Sequence, residues 1–223
     1  MLKNSNIHGV LFDLDGTLVD TAPDLANALN ILLKQEGRAE LAYEKIRPVV
    51  SHGGIAIIKL GFNMQPSNPE FEPLRQRFLK IYEDNICQHS CLFKGLDKVL
   101  HQLENLNIPW GIVTNKPTWL SEPLLQQLNL DKRLSTLVCG DTLKERKPHP
   151  MPMFYAAEQL NIAPEKILYI GDAQRDIEAG RLAGMQTMAA GFGYIESHDP
   201  AENWEADYLI NNSEDLYSFL FNE

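Results

Sequence analysis

Cysteine is scarce in this sequence, which has three in 223 residues, namely Cys87, Cys91 and Cys139. An odd number without regular spacing fits no disulfide framework and indicates a reducing compartment. His89 lies between the first two, but the spacing matches no zinc template. We therefore expect Cys87 and Cys91 to be small buried residues on a helix.

Long apolar runs are also missing from the sequence. No stretch approaches the roughly 18 consecutive apolar residues that a membrane-spanning helix requires. The first residues lead into only a short apolar run, so we expect no secretory leader. These absences predict a cytoplasmic protein with no membrane partner.

Basic residues are outnumbered by acidic ones, with 20 Lys and Arg against 30 Asp and Glu and a formal net charge of −10. This balance argues against a nucleic-acid partner, because such a partner requires a basic stripe. A small anionic ligand remains compatible with the charge, since one lysine or a bound cation can reverse the field inside a cleft.

The sequence has the 44% apolar and 22% charged residues of an ordinary globular protein. Short apolar runs alternate with stretches of helical periodicity, which predicts an α/β fold with a Rossmann-like parallel sheet. The predicted strands are residues 10–12, 110–113, 136–139, 167–170 and 187–190, with a weaker candidate at 207–210.

The alternation is interrupted between residues 20 and 90, where no convincing strand occurs. Thr21 followed by Asp24 predicts a capping box at the start of a helix that Gly37 ends. Apolar residues at helical spacing across 71–82 predict a second long helix.

The two predicted helices enclose residues 51–54, a serine, a histidine and two glycines, which we interpret as a flexible corner. The whole stretch predicts a helical module inserted after the first strand. The predicted domains are an α/β core formed by residues 1–18 and 90–223, and an inserted helical cap formed by residues 19–89.

Polar side chains follow the predicted strands at their carboxyl ends, where open α/β sheets bind ligands. Neighbouring carboxylates repel each other, which raises a pKa or demands a cation, and Mg²⁺ prefers such oxygen ligands. A lysine with short polar donors beside a magnesium site is typical of phosphoryl binding. These residues are Asp13, Asp15, Thr114, Asn115, Lys147, Asp172 and Asp176.

Each of these motifs has an ordinary structural explanation when taken alone. Asp-x-Asp is common in turns, Thr-Asn in helix caps, Lys-Pro in solvated loops, and Gly-Asp at the start of helices. All four motifs in this order, each following an apolar strand, favour a functional site.

The motifs at residues 12–21, 114–116, 147–148 and 171–176 resemble those of the haloacid dehalogenase superfamily. The chain is most similar to the phosphatase branch that carries a helical cap after the first strand. Residues 110–117 and 191–194 resemble phosphoglycolate phosphatases. Residues 50–54 and 151–153 are similar to N-acetylmuramic acid 6-phosphate phosphatases.

The resemblance implies a Mg²⁺-dependent phosphomonoester hydrolase. Asp13 would attack phosphorus and form an aspartyl-phosphate. Asp15 would protonate the leaving alkoxide and then take a proton from water. The metal would be held by Asp13, the main-chain carbonyl of Asp15 and Asp172.

The resemblance also implies a phosphate-binding group. Thr114 and the main chain of Asn115 would hold phosphoryl oxygens, and Lys147 would neutralise charge on the phosphoryl group and on Asp13. Asp176 would position Lys147 or a metal-bound water rather than bind the metal directly.

Substrate choice should depend on the inserted helices. Arg47 and His52 are candidates to contact a substrate carboxylate or sugar, because the adjacent glycines allow close approach. A solvated arginine and a loop histidine explain the same residues equally well.

Asp15 disfavours a dehalogenase, because a halide leaving group needs no acid. A phosphomutase of the same fold and a non-catalytic binder of phosphorylated metabolites remain alternatives. The expected partner is a small phosphorylated metabolite, and the expected assembly is a monomer or a loose homodimer.

Overall fold

The computed structural model describes residues 2–221. Over these residues the strands are β1 (Gly9–Phe12), β2 (Val19–Asp20), β3 (Cys91–Leu92), β4 (Trp110–Val113), β5 (Thr136–Val138), β6 (Ile167–Gly171), β7 (Gln186–Ala190) and β8 (Tyr208–Ile210). The helices are α1 (Ala22–Gln35), α2 (Tyr43–Ile46), α3 (Gly53–Phe62), α4 (Phe71–Asp84), α5 (Leu96–Asn105), α6 (Thr118–Gln127), α7 (Met151–Leu160), α8 (Gln174–Leu182) and α9 (Asp215–Leu220).

Six strands form one parallel sheet in the order β5-β4-β1-β6-β7-β8. Phe12, at the end of β1, is in register with Ile112 of β4 and Ile170 of β6, so these three strands end at the same edge. Strands β1, β4 and β6 are buried along their whole length, as expected for a sheet covered on both faces. The predicted α/β fold is confirmed, and each predicted strand is found to within one residue.

Helices α1 to α4, together with the 3₁₀ segment Arg47–His52, form a layer that we call the helical cap (residues 22–84). Leucines at helical spacing on α1, including Leu29 and Leu32, are fully buried against α3 and α4 in a separate apolar cluster. The cap therefore has its own hydrophobic core. The predicted domain boundaries, after residues 18 and 89, stay a prediction.

The chain enters and leaves the helical cap through β2 and β3, which pair with each other antiparallel. Each is two residues long, too short to produce a periodic signal in the sequence. The carboxylate of Asp24 reinforces this junction, accepting bonds from the His89 amide, the Ser90 amide and the Ser90 hydroxyl.

The predicted capping box at the start of α1 is wrong. Thr21 is at the N-cap position but makes no side-chain cap bond there. Its hydroxyl donates instead to Asp15 Oδ1 at 2.6 Å. The Asp24 carboxylate accepts hydrogen bonds from residues 89 and 90 instead. Contacts distant in sequence therefore replace the local capping box.

Two further expectations for this region are also wrong. Residues 51–54 are helical rather than a loop, because the 3₁₀ segment Arg47–His52 leads directly into α3. Cys87 is half-buried in a turn and Cys91 is exposed on β3, so neither is a buried helical residue. After α4 the chain forms a turn that contains Cys87 and then β3, which begins at Cys91.

Among residues 2–221, no helix combines the length and the apolarity needed to cross a membrane. The expected cellular location and oligomeric state stay predictions.

Candidate active site

The site forms at the carboxyl edge of the sheet because three adjacent strands end there together. Asp13 follows β1, Thr114 follows β4 and Asp172 follows β6. The Asp13 amide donates to the carbonyl of Ile170 at 2.8 Å, and the Thr114 amide donates to Val138 at 2.8 Å. The strand hydrogen bonding therefore continues into the site and fixes where these side chains begin.

Lys147 reaches this edge from the loop after β5 and is buried among acceptors. Its Nζ lies 2.9 Å from Asp13 Oδ1 and 2.7 Å from Asp176 Oδ1. It also donates to the Val113 carbonyl at 2.8 Å and to the Tyr169 hydroxyl at 2.7 Å. A buried ammonium needs such partners, and here they fix its position.

Both carboxylate oxygens of Asp176 are occupied within the protein. Oδ1 faces Lys147 and Oδ2 accepts from the Ala173 amide at 3.0 Å. Burial raises the pKa of Asp176, although the nearby Lys147 charge opposes this effect. The geometry favours Asp176 as the residue that orients Lys147.

Asp13 differs from Asp176 because its Oδ1 is buried without a hydrogen bond. Lys147 Nζ is close to this oxygen, but the approach lacks hydrogen-bonding geometry. Oxygens of Asp13, Asp172 and Asp176 all lie within 4.8 Å of one another. Three buried carboxylates, one of them with an oxygen that accepts no hydrogen bond, suit a hard divalent cation, so the donor set fits Mg²⁺.

Asp172 is a fully buried carboxylate in this cluster. Burial, reinforced by the charges of Asp13 and Asp176, raises its pKa to about 7. Gly16 (φ 86°) packs directly against it, and a Cβ there would lie 2.1 Å from Asp172 Oδ2. Only glycine combines that backbone angle with so close an approach.

Asp15 lies in the turn after β1 and contacts the edge of the helical cap. Its Oδ1 accepts from the Thr21 hydroxyl and lies 3.0 Å from Lys116 Nζ. Lys116 is buried above the ring of Tyr82, 4.5 Å from the centroid. Burial lowers the pKa of Lys116, but Asp15 and Tyr82 together outweigh it and the net shift is upward.

Lys116 was not predicted as a site residue, although it belongs to the motif at residues 114–116. A lysine in a polar loop gives no sign of burial. Its contacts with Asp15 and with Tyr82 of α4 join distant parts of the chain, so only the fold reveals them.

Thr114 and Asn115 lie beside Lys147. The side chain of Asn115 clamps the backbone of Lys147, donating to its carbonyl at 2.9 Å and accepting from its amide at 3.1 Å. Thr114 Oγ1 accepts from the Lys116 amide at 3.1 Å. The Asn115 side chain thus holds the lysine, and Asn115 also lines the cavity.

A cavity of about 600 Å³ lies between the sheet edge and the helical cap. Its polar floor comes from the core and its opposite wall from the cap, which supplies apolar and cationic groups. The floor includes Asp13, Asp15, Thr114, Asn115, Lys116 and Lys147, and the wall includes Ser51, His52, Gly53, Gly54, Ile55, Arg75 and Leu79.

The two predicted substrate contacts of the cap have different surroundings. His52 lines the cavity, and its Nε2 lies 2.6 Å from Glu196 Oε2. The structure does not bring Arg47 to the cavity wall. Its guanidinium donates to the carbonyls of Phe192 and Gly193, because this core loop offers it buried acceptors.

Comparison with known proteins adds to this geometry. Residues 10–190 match the model of the haloacid dehalogenase-like hydrolases. An N-acetylmuramic acid 6-phosphate phosphatase from Pseudomonas putida is 41% identical over 94% of each chain. A phosphoglycolate phosphatase from Xanthomonas campestris pv. campestris is 41% identical over 93% of this chain and 94% of its own.

A solved structure is also similar throughout. The crystal structure of a predicted phosphoglycolate phosphatase from Haemophilus somnus 129PT has a TM-score of 0.84 and 28% identity to this chain. The match covers 95% of this chain and 97% of the other. The similarity therefore includes both the sheet and the helical cap.

Proposed function

This chain belongs to the haloacid dehalogenase-like hydrolase family, and from that membership we propose that it is a Mg²⁺-dependent phosphatase of a small phosphorylated metabolite. One observation carries the proposal. The buried Asp13 Oδ1 accepts no hydrogen bond, lies 2.9 Å from the Lys147 ammonium and is close to two further carboxylates. A nucleophile, a cation site and an anion-binding lysine thus occupy one end of the cavity.

In the first step, Asp13 attacks phosphorus and the ester oxygen leaves, which forms an aspartyl-phosphate. Asp15 gives its proton to the leaving oxygen. In the second step, Asp15 takes a proton from water, the water oxygen attacks the phosphoryl group, and Asp13 is released. The Thr21 hydroxyl and Lys116 hold Asp15 at the junction with the cap.

The phosphoryl group is held at the floor of the cavity. Thr114 and the main chain of Asn115 bind its oxygens, and Lys147 neutralises charge on it. The Asn115 side chain and Asp176 keep Lys147 in place.

Asp13, the main-chain carbonyl of Asp15 and Asp172 would hold Mg²⁺. When bound, the ion supplies positive charge that lets an anionic nucleophile approach an anionic phosphate.

The cavity favours the larger of the two substrates named for the relatives. A volume of about 600 Å³ lies in the range of pockets that enclose drug-sized ligands. A two-carbon acid phosphate would leave most of that space to water. The apolar Ile55 and Leu79 and the cationic Arg75 suit a substituted sugar acid, which supports N-acetylmuramic acid 6-phosphate over phosphoglycolate.

Phosphate release tests this proposal, with purified protein, Mg²⁺ and both substrates compared by kcat/KM. We expect higher kcat/KM for N-acetylmuramic acid 6-phosphate, loss of activity with EDTA, and no activity in Asp13→Asn. The asparagine keeps the size of the side chain but cannot act as the nucleophile. Activity retained in a folded Asp13→Asn protein would overturn the nucleophile assignment.

The same assay separates the alternatives. A phosphomutase would convert one sugar phosphate into its isomer without releasing phosphate. A non-catalytic binder would retain the substrate unchanged, as equilibrium dialysis would detect.

A further inference from the structure

Ser51 connects the helical cap directly to the carboxylate cluster. It lies in the 3₁₀ segment of the cap, and its hydroxyl donates to Asp172 Oδ2 at 2.6 Å. Asp172 lies in the core, at the end of β6. A proposed ligand of the metal is therefore bonded to a residue of the layer that covers the cavity.

This bond determines which oxygen of Asp172 remains for a cation. Oδ2 accepts from Ser51 and also from the Tyr194 amide at 2.9 Å, so both of its lone pairs are used. Oδ1 has a single long contact, 3.3 Å from the Thr17 hydroxyl. Ser51 and Tyr194 together hold the carboxylate so that Oδ1 stays available.

Two core residues besides Asp172 contact Ser51 and its neighbour His52 at the rim of the cavity. Arg175, at the start of α8, donates to the Ser51 carbonyl and lies 3.3 Å from His52 Nδ1. Glu196 lies against the other ring nitrogen of His52. These contacts, like the bond to Asp172, exist only when the cap lies against the core.

We propose that Ser51 is a positioning residue that couples closure of the helical cap to Mg²⁺ binding at Asp172. Closure delivers the hydroxyl that orients the carboxylate, and by linkage a bound cation stabilises the closed cap. Outer partners of metal ligands commonly change metal affinity by about 10–100-fold. The inference rests on the magnesium site of the proposed function, but not on the identity of the substrate.

Mg²⁺ affinity tests the first half of this coupling. Isothermal titration of the wild type, Ser51→Ala, Ser51→Thr and Ser67→Ala should show about tenfold weaker Mg²⁺ binding in Ser51→Ala alone. Threonine keeps the hydroxyl. Ser67 is an exposed serine elsewhere in the cap and serves as the matched control.

Hydrogen exchange tests the second half. In the wild type, Mg²⁺ should slow amide exchange in α3, which directly follows the Ser51 segment. In Ser51→Ala this Mg²⁺-dependent protection should disappear, and melting curves will show that the variant is folded. Arg175→Gln keeps the Ser51 hydroxyl but removes the hydrogen bond to the Ser51 carbonyl. It should therefore also reduce the Mg²⁺-dependent protection of α3.

The outcomes separate this inference from the proposed function. Wild-type Mg²⁺ affinity and wild-type protection in Ser51→Ala would overturn the coupling while leaving the phosphatase intact. A wild-type protein that binds no Mg²⁺ would overturn both. If Ser51→Ala does not fold, Arg175→Gln decides, and unchanged protection in that variant would overturn the coupling.

Discussion

The two ends of the cavity are built in different ways. At the phosphate end, side chains come from adjacent strand ends and are buried, with Lys147 at 1% side-chain exposure. At the cap end, contacts run between separate layers and are more exposed, with His52 at 41%. Movement of the buried end would break sheet hydrogen bonds or separate charges, whereas the hydrogen bonds of Ser51 and His52 at the cap end join two separate layers. We therefore expect the chemistry to reside at the buried end and substrate choice at the cap end.

Replacing Lys147, at the buried end of the cavity, should have the largest effect on stability and activity. Lys147→Met leaves Asp13 and Asp176 buried without their cation, and breaking a buried ion pair in this way costs about 3–5 kcal/mol. We expect a drop of that size in the free energy of unfolding, measured in urea, and at least about a hundredfold loss of kcat. Mg²⁺ should restore part of the stability but not the activity.

Lys144→Met is the matched control, because Lys144 is an exposed lysine of the same loop. It should change neither quantity. Equal stability of the two variants would mean that the buried end does not depend on this charge.

The buried end could also be predicted from the sequence, and the cap end largely could not. Asp13, Thr114 and Asp172 directly follow apolar strands, so local order places them at one edge. The partners of Arg47 and Ser51 are more than a hundred residues away in the chain. The pattern of apolar residues does not predict such a contact, because which loop faces which helix depends on the tertiary fold.

Replacing Tyr194 tests how much the junction between the core and the helical cap contributes to stability. The Tyr194 hydroxyl accepts from the amides of Thr21 and Ala22 and donates to Asp20 Oδ1 at 2.7 Å. Tyr194→Phe would leave two buried amides without an acceptor, and an unsatisfied buried group costs about 1–3 kcal/mol. We expect a stability loss in this range by urea unfolding, with a smaller loss of kcat than in Lys147→Met.

Tyr155→Phe provides the comparison for this loss. Tyr155 is half-buried on α7, and none of the hydrogen bonds among residues 2–221 involves its hydroxyl. The variant should unfold like the wild type. Equal effects of the two substitutions would show that the junction contributes no more than an ordinary tyrosine hydroxyl.

Replacing Arg75 should have the smallest effect of these substitutions, limited to substrate binding at the cap end. Arg75 lines the cavity from α4 and is hydrogen-bonded to Glu72 of the same helix, whereas Arg77 is exposed, lies outside the cavity and pairs with Glu36. A charge-assisted hydrogen bond to a substrate carboxylate contributes about 1.5–3 kcal/mol. Arg75→Ala should therefore raise KM for N-acetylmuramic acid 6-phosphate about tenfold or more, with kcat nearly unchanged. KM for glucose 6-phosphate, which has no carboxylate, should not change.

Arg77→Ala removes the same charge from the same helix outside the cavity and should leave both KM values unchanged. If Arg75→Ala lowers kcat for both sugars instead, the cap end takes part in the chemical step. The division between a reactive core and a selective cap would then fail. If it raises KM for the carboxylated sugar alone, the division holds at Arg75, a cap residue that lines the cavity.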